Sequence, residues 1–310
     1  MKNMLNFKEF TADELMDILN LALDMKKNPE KYSESLKGKK LYTLFEKTST
    51  RTFLSFATGI TELGGTYCNQ LWKDSNFVLG EPVSEIKYVC RNVDIIMARL
   101  IKNETVELFG KNATVPFING CDNSYHPCQI LADALTILEK FGTLDVNLMY
   151  IGAKNNVFNS HVEFFSKMKK GTLYGLTPLV NETACGPDFY EEAKKSGHYI
   201  ELDPAMSMEE AKEYANKMDV LYTDTWVDME FFNNPAYQKQ KEETLAKMMP
   251  YQLNGDFTKD SKAIVFHDMP MHVGFEISQD VVDKNLDHIL DEAENRRHAE
   301  KAVMYTLLNS

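Results

Sequence analysis

The sequence predicts an α/β protein of two doubly wound domains, each with a central parallel sheet, and a C-terminal helix packing back on the N-terminal domain. Three observations carry this. Short apolar runs alternate with amphipathic helical patterns along the chain. The alternation comes in two series that meet near Phe141-Gly142, and successive β-α units imply parallel strands with right-handed crossovers. The residues suited to chemistry follow directly on predicted strands, where open α/β sheets bind ligands. The expected division is residues 1–138, residues 139–290 and a returning helix, 291–310.

The elements are legible in order. Thr11-Ala12-Asp13-Glu14 is a capping box, and Leu15, Ile18, Leu19 and Ala22 line one face of the helix that follows. Lys40–Phe45 is an apolar strand, and Phe53, Leu54, Phe56, Ala57, Ile60 and Leu63 repeat at helical spacing. Gly64-Gly65 stops that helix before a short strand at Thr66–Gln70. Leu71–Glu81 reads as a polar loop with Trp72 and Phe77 exposed, long enough for a functional flap. Pro82 starts a helix carrying Val83, Ile86, Val89 and Cys90, and a buried strand at Asp94–Ala98 ends on Arg99. Glu104–Phe109 is helical, Thr114–Ile118 a strand and Asn119–Tyr125 a turn-rich loop. Pro127 then opens a helix, where its missing N–H costs nothing. The second series starts with a strand at Val146–Ile151 and a helix at Asn156–Lys169, then a strand at Thr172–Leu176 and a helix around Phe189–Lys195. Tyr199–Leu202, Glu209–Met218 and Val220–Thr223 continue it. A charged helix at Gln238–Met249, a strand at Ala263–Phe266 and a final helix from about Glu292 to Leu308 complete the chain.

Composition narrows the function classes. At 310 residues and a net charge of -12, the chain is a poor partner for nucleic acid or anionic membrane. No apolar run reaches membrane-spanning length and the first residues lack a signal-peptide core, so a cytoplasmic location is expected. Five cysteines without C-x-x-C spacing read as reduced thiols, neither a disulfide framework nor a zinc site. Of 34 basic residues only five are arginine, so each arginine is a better candidate than usual for bidentate oxyanion recognition. There is no G-x-G-x-x-G after a strand and no G-x-x-x-x-G-K-[ST], which removes the main support for dinucleotide or P-loop binding.

The chemistry concentrates at Phe45-Glu46-Lys47-Thr48-Ser49-Thr50-Arg51-Thr52, a strand-to-helix turn. Hydroxyls, free amides, a guanidinium and the positive end of a helix dipole together suit a phosphate group. A Ser/Thr-rich helix start that merely caps itself fits the local residues equally well. Arg99, His126, Asn155-Asn156, Asp224 and His267 each follow a predicted strand, and such convergence favours one binding crevice.

Six motifs, Ser49-Thr50-Arg51-Thr52, Met97-Ala98-Arg99, His126-Pro127-Cys128-Gln129, Asn155-Asn156, Thr223-Asp224-Thr225-Trp226 and Glu292-Ala293-Glu294-Asn295-Arg296, span the chain in one order. Together they resemble the aspartate/ornithine carbamoyltransferase family, and the last two resemble its ornithine branch. The resemblance implies that 1–138 binds carbamoyl phosphate and 139–290 binds a small amine. By it, Ser49, Thr50, Arg51 and Thr52 hold the phosphate, while Arg99, His126 and Gln129 hold and polarise the carbamoyl group. Arg296 closes over from the last helix. The family's chemistry uses no metal and no organic cofactor, and its default assembly is a homotrimer with active sites at subunit interfaces, reached in part by the Leu71–Glu81 loop.

The chain departs from the ornithine branch on the amine side. It reads His267-Asp268-Met269-Pro270 where the branch has His-Cys-Leu-Pro, and Asp228-Met229-Glu230 where the branch has Ser-Met-Gly. The arginine expected shortly afterwards is replaced within Met271-His272-Val273-Gly274. The amine side is therefore expected from Asn156, Asp224, Asp228, Met229, His267, Asp268 and Met269. Asp224 and Asp268 join Arg51, Arg99 and His126 as the catalytic set, with Asp268 orienting the amine or relaying its proton. Added carboxylates favour a more cationic acceptor, a diamine such as putrescine, or an amino acid held differently from ornithine, lysine-like or a shorter diamino acid. Asp228 or Asp268 pointing to solvent or to Lys47 would remove that argument. A catalytically silent binding or assembly protein is the reading from another class, opposed by the retention of Arg51, Arg99, His126, Gln129 and Arg296.

Overall fold

The structure, a computed structural model, describes residues 2–227 and 232–309, so Asp228 and Met229 lie outside the described residues. The chain forms two compact units, residues 1–136 with 294–310 (unit 1) and residues 137–293 (unit 2). Each is built on a parallel sheet, as the alternation predicts.

In unit 1, strands β1 (Lys40–Phe45), β2 (Thr66–Leu71), β3 (Ile95–Arg99) and β4 (Phe117–Cys121) lie in the order β2-β1-β3-β4. The chain leaves β1 to one side and returns on the other, so the strand order reverses between β1 and β3. Such a switch point opens a crevice at the carboxyl ends of the strands. The register pairs Phe45 with Arg99, which sets Arg99 beside the turn into the next helix. Helices α1 (Ala12–Lys27), α2 (Pro29–Tyr32), α3 (Thr50–Glu62), α4 (Pro82–Val89) and α5 (Asn103–Asn112) surround this sheet, and α6 (Pro127–Phe141) begins here. Leu44, Ile96, Ala98, Val106, Phe109 and Phe117 form a buried cluster under it. The capping box of α1 is realised: the Glu14 N–H donates to Thr11 Oγ1, and the Thr11 N–H to Glu14.

Unit 2 repeats the plan with β5 (Asn147–Lys154), β6 (Thr172–Val180), β7 (Tyr199–Glu201), β8 (Val220–Thr223) and β9 (Ile264–His267), in the order β7-β6-β5-β8-β9. Its helices are α7 (Asn156–Met168), α8 (Pro187–Lys194), α9 (Met208–Ala215), α10 (Gln238–Met248), α11 (Gly255–Thr258) and the first part of α12 (Gln279–Leu308). Met149, Ile151, Leu221, Val265, Val281 and Ile289 are core residues. Here the order reverses between β5 and β8, so Asn155-Asn156 and Asp224 emerge from adjacent strands.

Three expectations need correction. Trp72 and Phe77 are not an exposed pair. Phe77 is buried, and Trp72 stacks on it at 5.3 Å and on Phe109 at 6.1 Å, so the loop after β2 is pinned to the core by an aromatic stack. Leu79 is the exposed apolar residue there. The fourth strand starts at Phe117 rather than Thr114, since Pro116 has no N–H for the ladder and offers only its carbonyl to Ile96. The last helix begins at Gln279 and runs for 30 residues. Its first half is charged on the outside, which hides Val281, Val282 and Ile289 on the buried face. Among the described residues no helix is long and apolar enough to cross a membrane.

Candidate active site

The start of α3 is the focus of unit 1. Ser49 is the N-cap, its Oγ accepting from the Thr52 N–H at 3.2 Å, so Thr50 and Arg51 occupy the first turn. Thr52 is buried, and its Oγ1 accepts from Arg99 Nη1 at 3.2 Å and Arg296 Nη2 at 2.7 Å. Guanidinium groups from β3 and α12 therefore meet on one hydroxyl at a helix N-terminus. The backbone of Gly120 packs closely here: a Cβ on it would stand 2.5 Å from Met97 Sδ and 3.3 Å from Thr52 Cγ2, so a side chain there would displace Met97.

His126 is buried at the end of the loop from β4. Burial, then the positive charges of Arg296, Arg99 and Arg51, hold its pKa well below the usual imidazole range. It therefore acts as a neutral ring with one N–H donor. Gln129 is buried three residues further on, with Nε2 donating to Asp133 Oδ1 at 2.9 Å. Ser49, Thr50, Arg51, Thr52, Arg99, His126, Gln129 and Arg296 all belong to unit 1. Hydrogen bonds join Thr52, Arg99 and Arg296, and Arg51 and His126 join them electrostatically. Ser49 uses its hydroxyl oxygen as the acceptor that caps the helix, which leaves its O–H as a donor.

Unit 2 gathers carboxylates instead. Asp224 follows β8 and is buried; Asn155 Nδ2 donates to its Oδ2 at 2.7 Å and the Thr225 N–H to its Oδ1 at 2.7 Å. Burial, and then the like charge of Asp268, push its pKa up to about 7, against the opposing influence of His267. His267 ends β9. Its Nδ1 accepts from the Met269 N–H at 2.8 Å and its Nε2 faces Glu276 Oε1 at 3.2 Å, which assigns the proton of the neutral ring to Nε2. Burial opposes a charge on this ring, but Glu276, Asp224 and Glu292 raise its pKa overall. Asp268 and Met269 are half-buried beyond it, and Asn156 is half-buried at the first position of α7. Asn156, Asp224, His267, Asp268 and Met269 thus all belong to unit 2.

Several further residues hold the acids and His267 in place. Asn155 holds Asp224 and also caps α7, its Oδ1 accepting from the Phe158 N–H at 3.0 Å. Glu276 steers His267, and Glu292 accepts from the His267 backbone N–H at 2.9 Å. A buried acid such as Glu276 looks in the sequence like any solvated charge. Glu292 is marked only by its place in the motif that ends on Arg296. Among the described residues no group of three or more His, Cys, Asp or Glu side chains is arranged to hold a metal ion.

Comparison with known proteins finds two consecutive family matches that meet near residue 140. Residues 2–139 match the family description "Aspartate/ornithine carbamoyltransferase, carbamoyl-P binding domain", and residues 144–307 match its "Asp/Orn binding domain". The chain is 34% identical to the ornithine carbamoyltransferase of Archaeoglobus fulgidus, covering 99% of this chain and 98% of that one. It is 37% identical to that of Thermococcus kodakarensis, covering 98% and 95%. Among solved structures, the ornithine carbamoyltransferase of Pyrococcus furiosus superposes with a TM-score of 0.87 at 33% identity, covering 100% of this chain and 97% of that one. An N-acetyl-L-ornithine transcarbamylase superposes with a TM-score of 0.80 at 26% identity, covering 99% and 100%. With matches over nearly its whole length, the chain belongs to the aspartate/ornithine carbamoyltransferase family.

Proposed function

We propose that this protein is a carbamoyltransferase that moves the carbamoyl group of carbamoyl phosphate to a primary amine of an ornithine-like amino acid, giving a ureido product and phosphate. The observation that carries the reading is the meeting of Arg99 and Arg296 on Thr52 at the start of α3, with Arg51 and neutral His126 beside them. A dianionic phosphoryl group finds there a helix N-terminus, hydroxyls and guanidinium donors. The neutral amine nitrogen attacks the carbonyl carbon and charge gathers on the carbonyl oxygen; the bond from carbon to the phosphate oxygen then breaks, and the proton the attacking nitrogen still carries goes to the departing phosphate, which leaves as the hydrogen phosphate dianion. Arg99, His126 and Gln129 are the donors for that oxygen; Ser49, Thr50, Arg51, Thr52 and Arg296 hold the departing phosphate. Preorganised donors of this kind are usually the largest catalytic term.

The amine must first lose a proton, because an alkyl ammonium with a pKa near ~10.4 is no nucleophile. Asp224, buried beside Asp268 with a pKa near 7, is placed between acid and base at neutral pH and suits that transfer. Asp268 also favours a second reading of the acceptor, a more cationic amine such as the diamine putrescine, or a lysine-like or shorter diamino acid held differently from ornithine. The roles of Asp228 and Met229 on the amine side rest on the sequence alone. The catalytic set is then Arg51, Arg99, His126, Asp224 and Asp268, and neither metal nor organic cofactor takes part.

Unit 1 leaves Leu54, Tyr67, Leu71, Val78, Leu79 and Tyr88 exposed on β2, the helix before it, the loop after it and α4. Exposed apolar surface beside an edge strand supports self-association of this chain; the assembly proposed is a homotrimer with active sites completed at subunit interfaces, and the proposed location is the cytoplasm. Ureido-product formation from carbamoyl phosphate with ornithine, lysine, shorter diamino acids, putrescine and aspartate tests the function. Turnover with ornithine or a diamine supports it. Carbamoyl phosphate binding without turnover of any amine would instead indicate a silent relative.

A further inference from the structure

Glu300 lies one turn beyond Arg296 on α12 and is 0% exposed, yet no hydrogen bond of ordinary geometry reaches either carboxyl oxygen. Its nearest ionic neighbour is Arg296 Nε, 3.9 Å from Oε1. On α3 the Ser55 hydroxyl faces it, but that hydroxyl donates to the Arg51 carbonyl at 2.8 Å and lies 3.3 Å from the Thr52 carbonyl. On α6 the Cys128 thiol is close enough to feel its charge. Lys301, the next residue of α12, is held away by Glu62 at 2.7 Å. A buried carboxyl therefore sits beside Arg296 Nε and faces Ser55 of α3, away from the Arg296 Nη2 that bonds Thr52, and has no part in the proposed chemistry.

We infer that Glu300 is a positioning residue for phosphoryl binding: protonated, it leaves the full charge of Arg296 to the phosphate dianion, and ionised, it competes with the dianion for Arg296 from behind. The inference rests on the reading of unit 1 as the phosphoryl half-site. Protonated Glu300 donates to Ser55 Oγ, whose own O–H donates to the Arg51 carbonyl, and so ties α12 to the cradle. Ionised Glu300 draws the Ser55 proton to itself and breaks that chain. Burial, against the pull of Arg296 and Ser55, lifts the carboxyl to a pKa of about 8, so both states are accessible near neutral pH. Cys128 does not share this window, because its burial raises the thiol well above its usual range. His126 stays neutral throughout it.

The test is calorimetric titration of the full-length protein with inorganic phosphate between pH 7.5 and 9.5, where phosphate is mostly dianion. Wild-type affinity falls by on the order of tenfold as one charge appears beside Arg296. Glu300→Gln abolishes the fall and binds more tightly than wild type at the alkaline end. Linkage requires that phosphate binding near pH 8 takes up protons in the wild type, read from the dependence of the binding heat on the buffer, and takes up fewer in Glu300→Gln. A purely structural glutamate changes affinity uniformly and moves neither pH profile nor proton uptake. Equal profiles in the two proteins, or no proton uptake by the wild type alone, overturn the inference without touching the phosphoryl reading. Absence of phosphate binding at every pH overturns both. If Glu300→Gln folds poorly, Glu300→Met gives the same comparison with an apolar side chain of similar volume.

Discussion

Unit 1 sets three arginines and a neutral histidine at the carboxyl ends of its strands and the start of α3, whereas unit 2 sets Asp224, Asp268, Glu276 and His267 at the ends of β8 and β9. The backbone plan is the same: a parallel sheet whose strand order reverses beside its first strand, with side chains emerging at the switch point. What differs is how burial acts on the charged groups. Among the proposed donors of unit 1, burial removes the charge of His126 and leaves the guanidinium groups cationic. In unit 2 burial and a like-charged neighbour bring a carboxyl to a pKa where it can take up and release a proton. On the proposed function, the arginines of unit 1 hold a fixed charge and Asp224 of unit 2 moves a proton.

The largest expected effect comes from removing a fixed charge. Arg51→Met lowers kcat/KM for carbamoyl phosphate by roughly 10²- to 10³-fold, measured by initial-rate kinetics, since one preorganised donor to developing negative charge is lost. The next test acts on the movable proton. Asp224 is raised to about 7 by burial and then by Asp268, so the acid limb of the rate profile, which reports ionisation of Asp224, lies near there. Asp268→Asn removes the like charge and moves that limb to lower pH; an unmoved limb would mean that Asp268 does not face Asp224.

A third prediction separates stability from catalysis. His161, buried on α7 of unit 2, has its pKa pushed down to about 3, chiefly by burial. In the unfolded chain it binds a proton below about 6.5, so the folded state loses stability as pH falls from there towards 3. At pH 5 this amounts to roughly 2 kcal/mol relative to pH 7.5. His161→Leu removes that share of the acid sensitivity, read from chemical denaturation at the two pH values. The smallest effect on the fold is expected from Leu79→Asp. Leu79 is 83% exposed, so the folded chain changes by about 0.5 kcal/mol or less. The mass by light scattering falls below that of a trimer.

The cationic half was legible in the sequence because its donors are local. Ser49 to Thr52 occupy one strand-to-helix turn, and an arginine-poor chain draws attention to Arg51, Arg99 and Arg296. What the residues could not reveal is that Thr52 is the acceptor on which two of those arginines meet, since β3 and α12 are brought to α3 only by tertiary packing. The amine half was legible at Asp224 and His267 but not at Glu276 and Glu292, whose partners lie 9 and 25 residues from them in sequence. The loop after β2 misled for a different reason. Its polar residues face outward while Trp72 and Phe77 stack on Phe109, and no periodicity marks a contact of that kind.

The division of labour between the two halves is tested most directly by initial rates of ureido-product formation, varied in both substrates, for the wild type, Arg51→Met and Asp224→Asn. The predicted result is a wild type that turns over an ornithine-like amine or diamine, an Arg51→Met variant impaired in its use of carbamoyl phosphate, and an Asp224→Asn variant impaired in its use of the amine. Asp224→Asn failing on carbamoyl phosphate while Arg51→Met fails on the amine, or a wild type that forms no ureido product from any amine, would contradict it.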